Sequence, residues 1–107
     1  MTDASCHCGA VHLRVATPPT EVASCNCSIC RRLGTLWSYY RPAEVEVTGE
    51  TDTYVWGDRC LALHRCRVCG CVTHWSPLVA IDRMGVNARL FDPAVIASLP
   101  VRKVDNA

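Results

Sequence analysis

The sequence lacks the features that would place the protein in or across a membrane. No run of eighteen apolar residues occurs in the 107-residue chain, so no membrane-spanning helix is expected. The first ten residues, MTDASCHCGA, contain neither a basic segment nor an apolar segment of the kind found in a secretory signal. We therefore expect a cytoplasmic protein without a membrane partner.

Long runs of positive charge are also missing. The formal net charge is +1, and no basic block exceeds two residues, as in Arg31-Arg32. A protein that grips nucleic acid phosphates needs a marked excess of lysine and arginine on one surface. Nucleic acid is therefore not an expected partner.

Linkers, internal repeats and low-complexity segments are absent, so residues 1–107 are expected to form a single domain. Most of the chain reads as short strands separated by turn residues. Val11, Leu13 and Val15 alternate with polar neighbours and predict a half-buried strand. Further strands are expected over residues 36–40, 45–47, 54–56, 61–64, 72–75 and 84–90. Asp92-Pro93 predicts the start of a short helix. The expected fold is mainly β, with cysteines in loops at strand ends.

Cysteine is abundant, with nine residues. A disulfide scaffold is one interpretation, but the count is odd, the thiols form tight clusters, and the expected compartment is reducing. Neighbours spaced C-x-C also rarely satisfy the geometry of a disulfide. A chain this short buries a limited core, so bound metal would add needed stability. The pattern favours metal binding.

Two cysteine motifs have the form of zinc knuckles. CHCG places Cys6 and Cys8 before Gly9, and CRVCG places Cys66 and Cys69 before Gly70. In each, glycine allows a positive φ after the second ligand. Together the two motifs supply the four thiolates of a closed structural zinc site.

The third motif, CNCSIC, has three cysteines: Cys25, Cys27 and Cys30. Three protein ligands and one exchangeable position are typical of a catalytic zinc site. A fourth ligand remains open as an alternative, and the candidates are Cys60, His64 and His74, of which either histidine is also a candidate acid. Each of these also has a plain structural interpretation. Cys71 is either a buried residue or an alternative ligand of the four-cysteine site.

Four segments together resemble the glutathione-dependent formaldehyde-activating enzyme family, which includes the centromere protein V type of domain. They are SCHCGAV at 5–11, CNCSICRR at 25–32, CRVCG at 66–70 and GVNARLFD at 85–92. The resemblance implies a small tent-like fold of short antiparallel sheets with two zinc ions per chain. It implies a structural zinc on Cys6, Cys8, Cys66 and Cys69, and a catalytic zinc on Cys25, Cys27 and Cys30. The activity implied is that of a carbon–sulfur lyase, joining glutathione and formaldehyde into S-hydroxymethylglutathione or cleaving that adduct.

The expected function is therefore a zinc-dependent reaction between a small-molecule thiol, glutathione or another, and an aldehyde. Arg31 and Arg32 are candidates for binding the carboxylates of glutathione, or else are solvated surface charges. Trp37, Tyr39 and Tyr40 either wall a substrate pocket or belong to the core. Three alternatives stay open: a non-catalytic zinc-stabilised binding module, an iron–sulfur site, and a weaker thioredoxin-like role for the C-x-x-C pair.

Overall fold

A computed structural model describes all residues, 1–107, and contains ten strands, two short α-helices and two 3₁₀ turns. The strands are β1 (Thr2–Ser5), β2 (His12–Val15), β3 (Val22–Cys25), β4 (Trp37–Tyr40), β5 (Val45–Thr48), β6 (Thr51–Tyr54), β7 (Leu61–Cys66), β8 (Val72–Pro77), β9 (Met84–Asn87) and β10 (Val101–Val104). The helices are α1 (Cys30–Leu33) and α2 (Pro93–Ile96), and the 3₁₀ turns are Pro42–Glu44 and Ala88–Leu90. The mainly-β fold class expected from the sequence is confirmed.

The strands form two sheets of unequal size. The smaller has the order β1-β2-β5, and the larger has the order β10-β3-β4-β9-β8-β7-β6. Every pair is antiparallel except β3 and β10, which run parallel with Val22 opposite Val101. One buried cluster joins the sheets, because it includes Leu13 and Val15 from the smaller sheet and Tyr40 and Val86 from the larger.

Several boundaries differ from the expectation. Strands β1, β3 and β10 and helix α1 carry no strong alternating or capping pattern and were not expected. The strand predicted to run to residue 90 ends at Asn87, whose side-chain oxygen accepts a hydrogen bond from the Arg89 backbone at 3.2 Å. This local bond starts a 3₁₀ turn in place of further pairing. The predicted helix start is confirmed, since Asp92 accepts a hydrogen bond from the Ala94 N–H at 2.9 Å.

One face of the large sheet carries a second buried cluster built around aromatic side chains. Trp37 and Leu63 are buried there, with Tyr39 and Trp75 packed beside them. Gly85 lies opposite both Tyr39 and Trp75 in the neighbouring strands. A Cβ atom at position 85 would overlap the indole of Trp75, so that ring can lie across β9 only because the residue is glycine.

No helix in the structure is both long enough and apolar enough to cross a membrane.

Candidate metal centres and their cavity

The first cysteine group, here called the quartet, comprises Cys6, Cys8, Cys66 and Cys69. Cys6 follows β1 in the small sheet, and Cys66 ends β7 in the large sheet. The sulfur of Cys8 lies 3.7 Å from that of Cys6 and 3.6 Å from that of Cys66. All four sulfurs lie within 4.8 Å of one another, the separation expected of ligands around one metal ion.

Backbone N–H groups surround the quartet. Val11 donates to the sulfur of Cys6 at 3.3 Å, Ala10 to Cys8 at 3.4 Å, and Val68 to Cys66 at 3.4 Å. Gly9 and Gly70 have φ values of +82° and +78°, as the knuckle pattern predicted. These turns direct amide donors at the sulfurs, which favours thiolates over thiols.

These hydrogen bonds do not lower the pKa of every quartet thiol. Backbone hydrogen bonds from Cys71 and Cys8 lower the pKa of the Cys69 thiol to about 5, and those from Cys69 and Val68 lower the pKa of Cys66. The Ala10 N–H also favours the Cys8 thiolate, but desolvation and the sulfurs of Cys66 and Cys6 raise the pKa of Cys8 to about 11. Four adjacent thiolates therefore need a cation, and this all-sulfur donor set fits zinc.

The second group, here called the triplet, comprises Cys25, Cys27 and Cys30, whose sulfurs also lie within 4.8 Å of one another. Cys25 ends β3 and Cys30 begins α1, so the whole group lies in one tight turn. Each sulfur accepts a hydrogen bond. The donors are Asn106 Nδ2 to Cys25 at 3.5 Å, the Cys30 N–H to Cys27 at 3.4 Å, and Trp37 Nε1 to Cys30 at 3.3 Å.

The triplet thiols ionise unequally, like those of the quartet. Burial opposes ionisation of Cys27, but hydrogen bonds from Cys30 and Cys25 outweigh it and lower the Cys27 pKa. Burial raises the pKa of Cys30 to about 12, although the Trp37 N–H favours its thiolate and Cys27 opposes it. Ionisation is thus favoured at Cys27 and opposed at Cys30, so three thiolates together need a bound cation. Three sulfur donors fit zinc with one position left for another ligand.

A cavity of about 170 Å³, here called the cysteine cavity, opens beside the triplet. Its lining is almost wholly apolar and contains no charged side chain. The lining residues are Cys25, Cys27, Ile29, Cys30, Trp37, Tyr39, Trp56, Leu61, Leu63, Trp75 and Asn106. A cavity of about 150 Å³ is enough for a benzene-sized group, so this one can take more than a one-carbon aldehyde.

The predicted arginines and the two remaining cysteines lie outside the quartet and the triplet. Arg31 and Arg32 are exposed on α1 and do not line the cysteine cavity, and Arg32 donates to the Ser28 carbonyl at 2.7 Å. Cys60 and Cys71 belong to neither sulfur group. The binding role expected for the two arginines stays a prediction.

His64 and His74 face each other across β7 and β8 and stack with ring centroids 4.1 Å apart. Neither lies in a cysteine group. Burial lowers the pKa of both rings, and for His74 burial together with the charge of His64 lowers it to about 3. The pair is therefore neutral at pH 7, and the His64 ring is held by hydrogen bonds with the hydroxyls of Thr51 at 2.8 Å and Ser76 at 2.7 Å.

The predicted aromatic residues divide between cavity and core. Trp37 and Tyr39 line the cysteine cavity, whereas Tyr40 belongs to the main core, where its hydroxyl donates to the Thr17 carbonyl at 2.9 Å. The sequence reasoning missed Trp75 and Asn106. Asn106 is 81 residues from Cys25 in the chain, and only the parallel pairing of β10 with β3 brings it to the triplet.

Residues 1–101 match the family model described as "Glutathione-dependent formaldehyde-activating enzyme". A curated Halomonas elongata protein named "Putative glutathione-dependent formaldehyde-activating enzyme" is 39% identical over 56 residues, which make up 51% of this chain and 33% of that protein. The match therefore covers only about a third of that relative's length. A crystal structure of a Rhodobacter sphaeroides protein is 28% identical and covers 92% of this chain and 98% of its own, with a TM-score of 0.76. This chain belongs to the glutathione-dependent formaldehyde-activating enzyme family.

Proposed function

We propose that this protein is a zinc-dependent, carbon–sulfur lyase-like enzyme that forms or cleaves a thiol–aldehyde adduct such as S-hydroxymethylglutathione. Membership of the family supports a glutathione-related, formaldehyde-activating function. The observation that carries the proposal is the convergence of three cysteine sulfurs on one wall of an apolar cavity.

Two zinc ions per chain are part of this proposal. Cys6, Cys8, Cys66 and Cys69 would hold a structural ion, and Cys25, Cys27 and Cys30 would hold a catalytic one. A zinc ion held by the triplet would supply Lewis-acid chemistry, which lowers the pKa of an incoming thiol. In adduct formation the thiol sulfur bonds to the aldehyde carbon, the carbonyl π bond breaks, and the thiol proton ends on the resulting hydroxyl oxygen. The reverse reaction returns the same atoms.

The chain's own residues hold the triplet in place and shape its surroundings. Hydrogen bonds from Trp37, Asn106 and the Cys30 backbone orient the three sulfurs and disperse their charge. The apolar walls, including Trp56 and Trp75, exclude water around the reacting atoms. This arrangement brings thiol and aldehyde together in a fixed geometry.

Residues 1–107 are taken as one domain, since both sheets share a single buried cluster. A cytoplasmic location also stays a prediction. It agrees with nine cysteines that are all free, because a reducing compartment keeps thiols unpaired and available to metal.

The test compares wild type with Cys27→Ser, using Cys60→Ser as a control that removes a cysteine outside both groups. Native mass spectrometry should show two zinc ions in wild type and Cys60→Ser, and one in Cys27→Ser. Acceleration of adduct formation from glutathione and formaldehyde over the spontaneous rate, followed by exchange ¹³C NMR of the labelled aldehyde carbon, should be lost only in Cys27→Ser.

Other outcomes would replace the proposal. Full activity in Cys27→Ser would remove the triplet from the reaction. Two zinc ions with no acceleration of adduct formation for any thiol and aldehyde would favour a non-catalytic binding module. A brown protein containing iron and sulfide would make the site an iron–sulfur cluster.

A further inference from the structure

The cysteine cavity adjoins three other cavities, and these differ in charge. At about 170 Å³ it is smaller than the roughly 300–1,000 Å³ that a ligand of drug size occupies. A tripeptide thiol such as glutathione carries two carboxylates and must extend into a neighbouring space, because the cysteine cavity has no charged side chain.

Of the three neighbouring cavities, one repels an anion and another offers it a single arginine. The one that shares Trp37 and Tyr39 with the cysteine cavity is lined by Glu21 and Glu44, which repel a carboxylate. The one that shares Ile29 and Leu63 contains a single charged residue, Arg65.

The third neighbour, here called the arginine cavity, has a volume of about 270 Å³ and shares Tyr39, Trp75 and Asn106 with the cysteine cavity. Arg83 and Arg102 are the only charged residues that line it. Asn106 ties the two cavities together, since its side chain also donates to the Cys25 sulfur at 3.5 Å.

The two guanidinium groups are held in ways that leave donors available. The Arg83 guanidinium carbon lies 4.0 Å from the centroid of the Tyr39 ring, and Arg83 takes part in none of the ion pairs of the structure. Stacking on an aromatic face positions an arginine without using its N–H groups. Arg102 pairs with Glu21 through Nε at 3.3 Å, which is an exposed and therefore weak pair.

We propose that Arg83 and Arg102 form the subsite that binds the carboxylate end of the thiol cosubstrate, while its sulfur reaches the triplet through the cysteine cavity. This inference rests on the proposed function and specifies its substrate class as an anionic, peptide-sized thiol. Paired arginines suit this task because a guanidinium binds a carboxylate through two parallel hydrogen bonds. The subsite would make Arg31 and Arg32 unnecessary for binding.

The test uses zinc-loaded full chain and two probes, S-methylglutathione and its dimethyl ester. The methylated sulfur cannot form a thiolate, so binding measured by calorimetry reports contacts of the peptide rather than of the sulfur. The ester keeps the shape but masks both carboxylates. The variants are Arg83→Gln, Arg102→Gln and the double variant Arg31→Gln/Arg32→Gln, and Arg14→Gln, on the small sheet, is the charge-matched control.

Arg83→Gln and Arg102→Gln should each weaken binding of the acid probe about tenfold, the size expected for a lost charge-assisted hydrogen bond. Neither substitution should change binding of the ester. The Arg31→Gln/Arg32→Gln variant and the Arg14→Gln control should change binding of the acid less than about twofold. Equal weakening of acid and ester would show a structural effect and overturn the proposal. Unchanged binding of the acid by Arg83→Gln and Arg102→Gln would also overturn it. So would weaker binding of the acid by the Arg31→Gln/Arg32→Gln variant instead, or wild type that binds acid and ester equally well.

Adduct formation, measured separately, distinguishes this proposal from the function it rests on. If wild type binds the acid through Arg83 and Arg102 but does not accelerate adduct formation, the anion subsite stands and the proposed reaction fails. If wild type accelerates adduct formation equally for glutathione and for an uncharged thiol, and the arginine variants do not change this, the reaction stands and the subsite fails.

Discussion

The quartet and the triplet use the same side chain in different structural settings. The quartet joins residues 58 positions apart and connects the end of β1, in the small sheet, with the end of β7, in the large one. The triplet lies within a single turn between β3 and α1 and faces a cavity. In the quartet Cys6 and Cys66 are buried, Cys69 is half-buried and Cys8 is exposed, whereas all three triplet cysteines are half-buried. A metal on the quartet would hold two sheets together, and one on the triplet would order a local loop and remain accessible.

The largest expected effect comes from breaking the quartet. Cys66→Ser should leave the chain unfolded at 25 °C, because a structural zinc contributes about 10–16 kcal/mol and small domains have net stabilities of about 5–15 kcal/mol. Far-UV circular dichroism and zinc content would measure this.

Cys71→Ser is the matched control, since Cys71 adjoins the quartet and stays outside it. Unfolding of Cys71→Ser, with Cys66→Ser still folded, would mean that the ligand set is wrong.

Removing metal in steps should separate the two sites. During titration with a chelator, the first zinc should leave without loss of far-UV signal and with loss of activity, because the triplet supplies only three ligands and opens on the cysteine cavity. The second should leave together with unfolding, since closing the quartet and folding are coupled. Simultaneous loss of both ions and of structure would contradict this difference between the sites.

A smaller effect is expected at the wall of the cysteine cavity. Gly85→Ala places a Cβ against the Trp75 indole, and forcing a ring aside in a packed site costs about 1–3 kcal/mol. Denaturant unfolding would measure the loss in free energy. In a Trp75→Ala background the same substitution should cost little, and an equal cost in both backgrounds would place the strain elsewhere.

The smallest effect concerns the sheet that connects the two groups. His74 has a pKa of about 3 in the folded protein and about 6.5 when unfolded, so the unfolded chain binds more protons between these values. The stabilisation is complete above about pH 6.5 and declines as the pH falls toward 3, by about 1 kcal/mol at pH 6.

The free energy of unfolding is measured over the same pH series for wild type and for His74→Gln. Subtracting one series from the other removes the contribution of the zinc ligands, which is common to both proteins. The difference in free energy of unfolding between wild type and variant should therefore narrow between pH 8 and pH 6. A constant difference would show that His74 does not titrate on unfolding.

Much of the fold was predictable where a local pattern reports burial. The alternation around Leu13 predicted β2, and the Asp92-Pro93 pair predicted the start of α2. Strand β10 carries the sequence VRKV, and its middle positions are charged, so its pairing with β3 could not be inferred. Long-range pairing depends on which other edge is free, and a window of neighbouring residues contains no information on that.

For the site, spacing alone divided seven of the nine cysteines into groups of four and three, because the ligands of one metal tend to come from short turns. The residues around the sulfurs could not be found from spacing. Gly85, Trp75 and Asn106 acquire their roles from cross-strand neighbours. The sequence by itself thus determined which sulfurs meet, since each cysteine motif is encoded within a few residues and two knuckles together supply the four ligands of one closed site. Only the tertiary structure decided what surrounds them, including which arginines line the arginine cavity next to the cysteine cavity, because sheet order brings together segments that are distant in the chain.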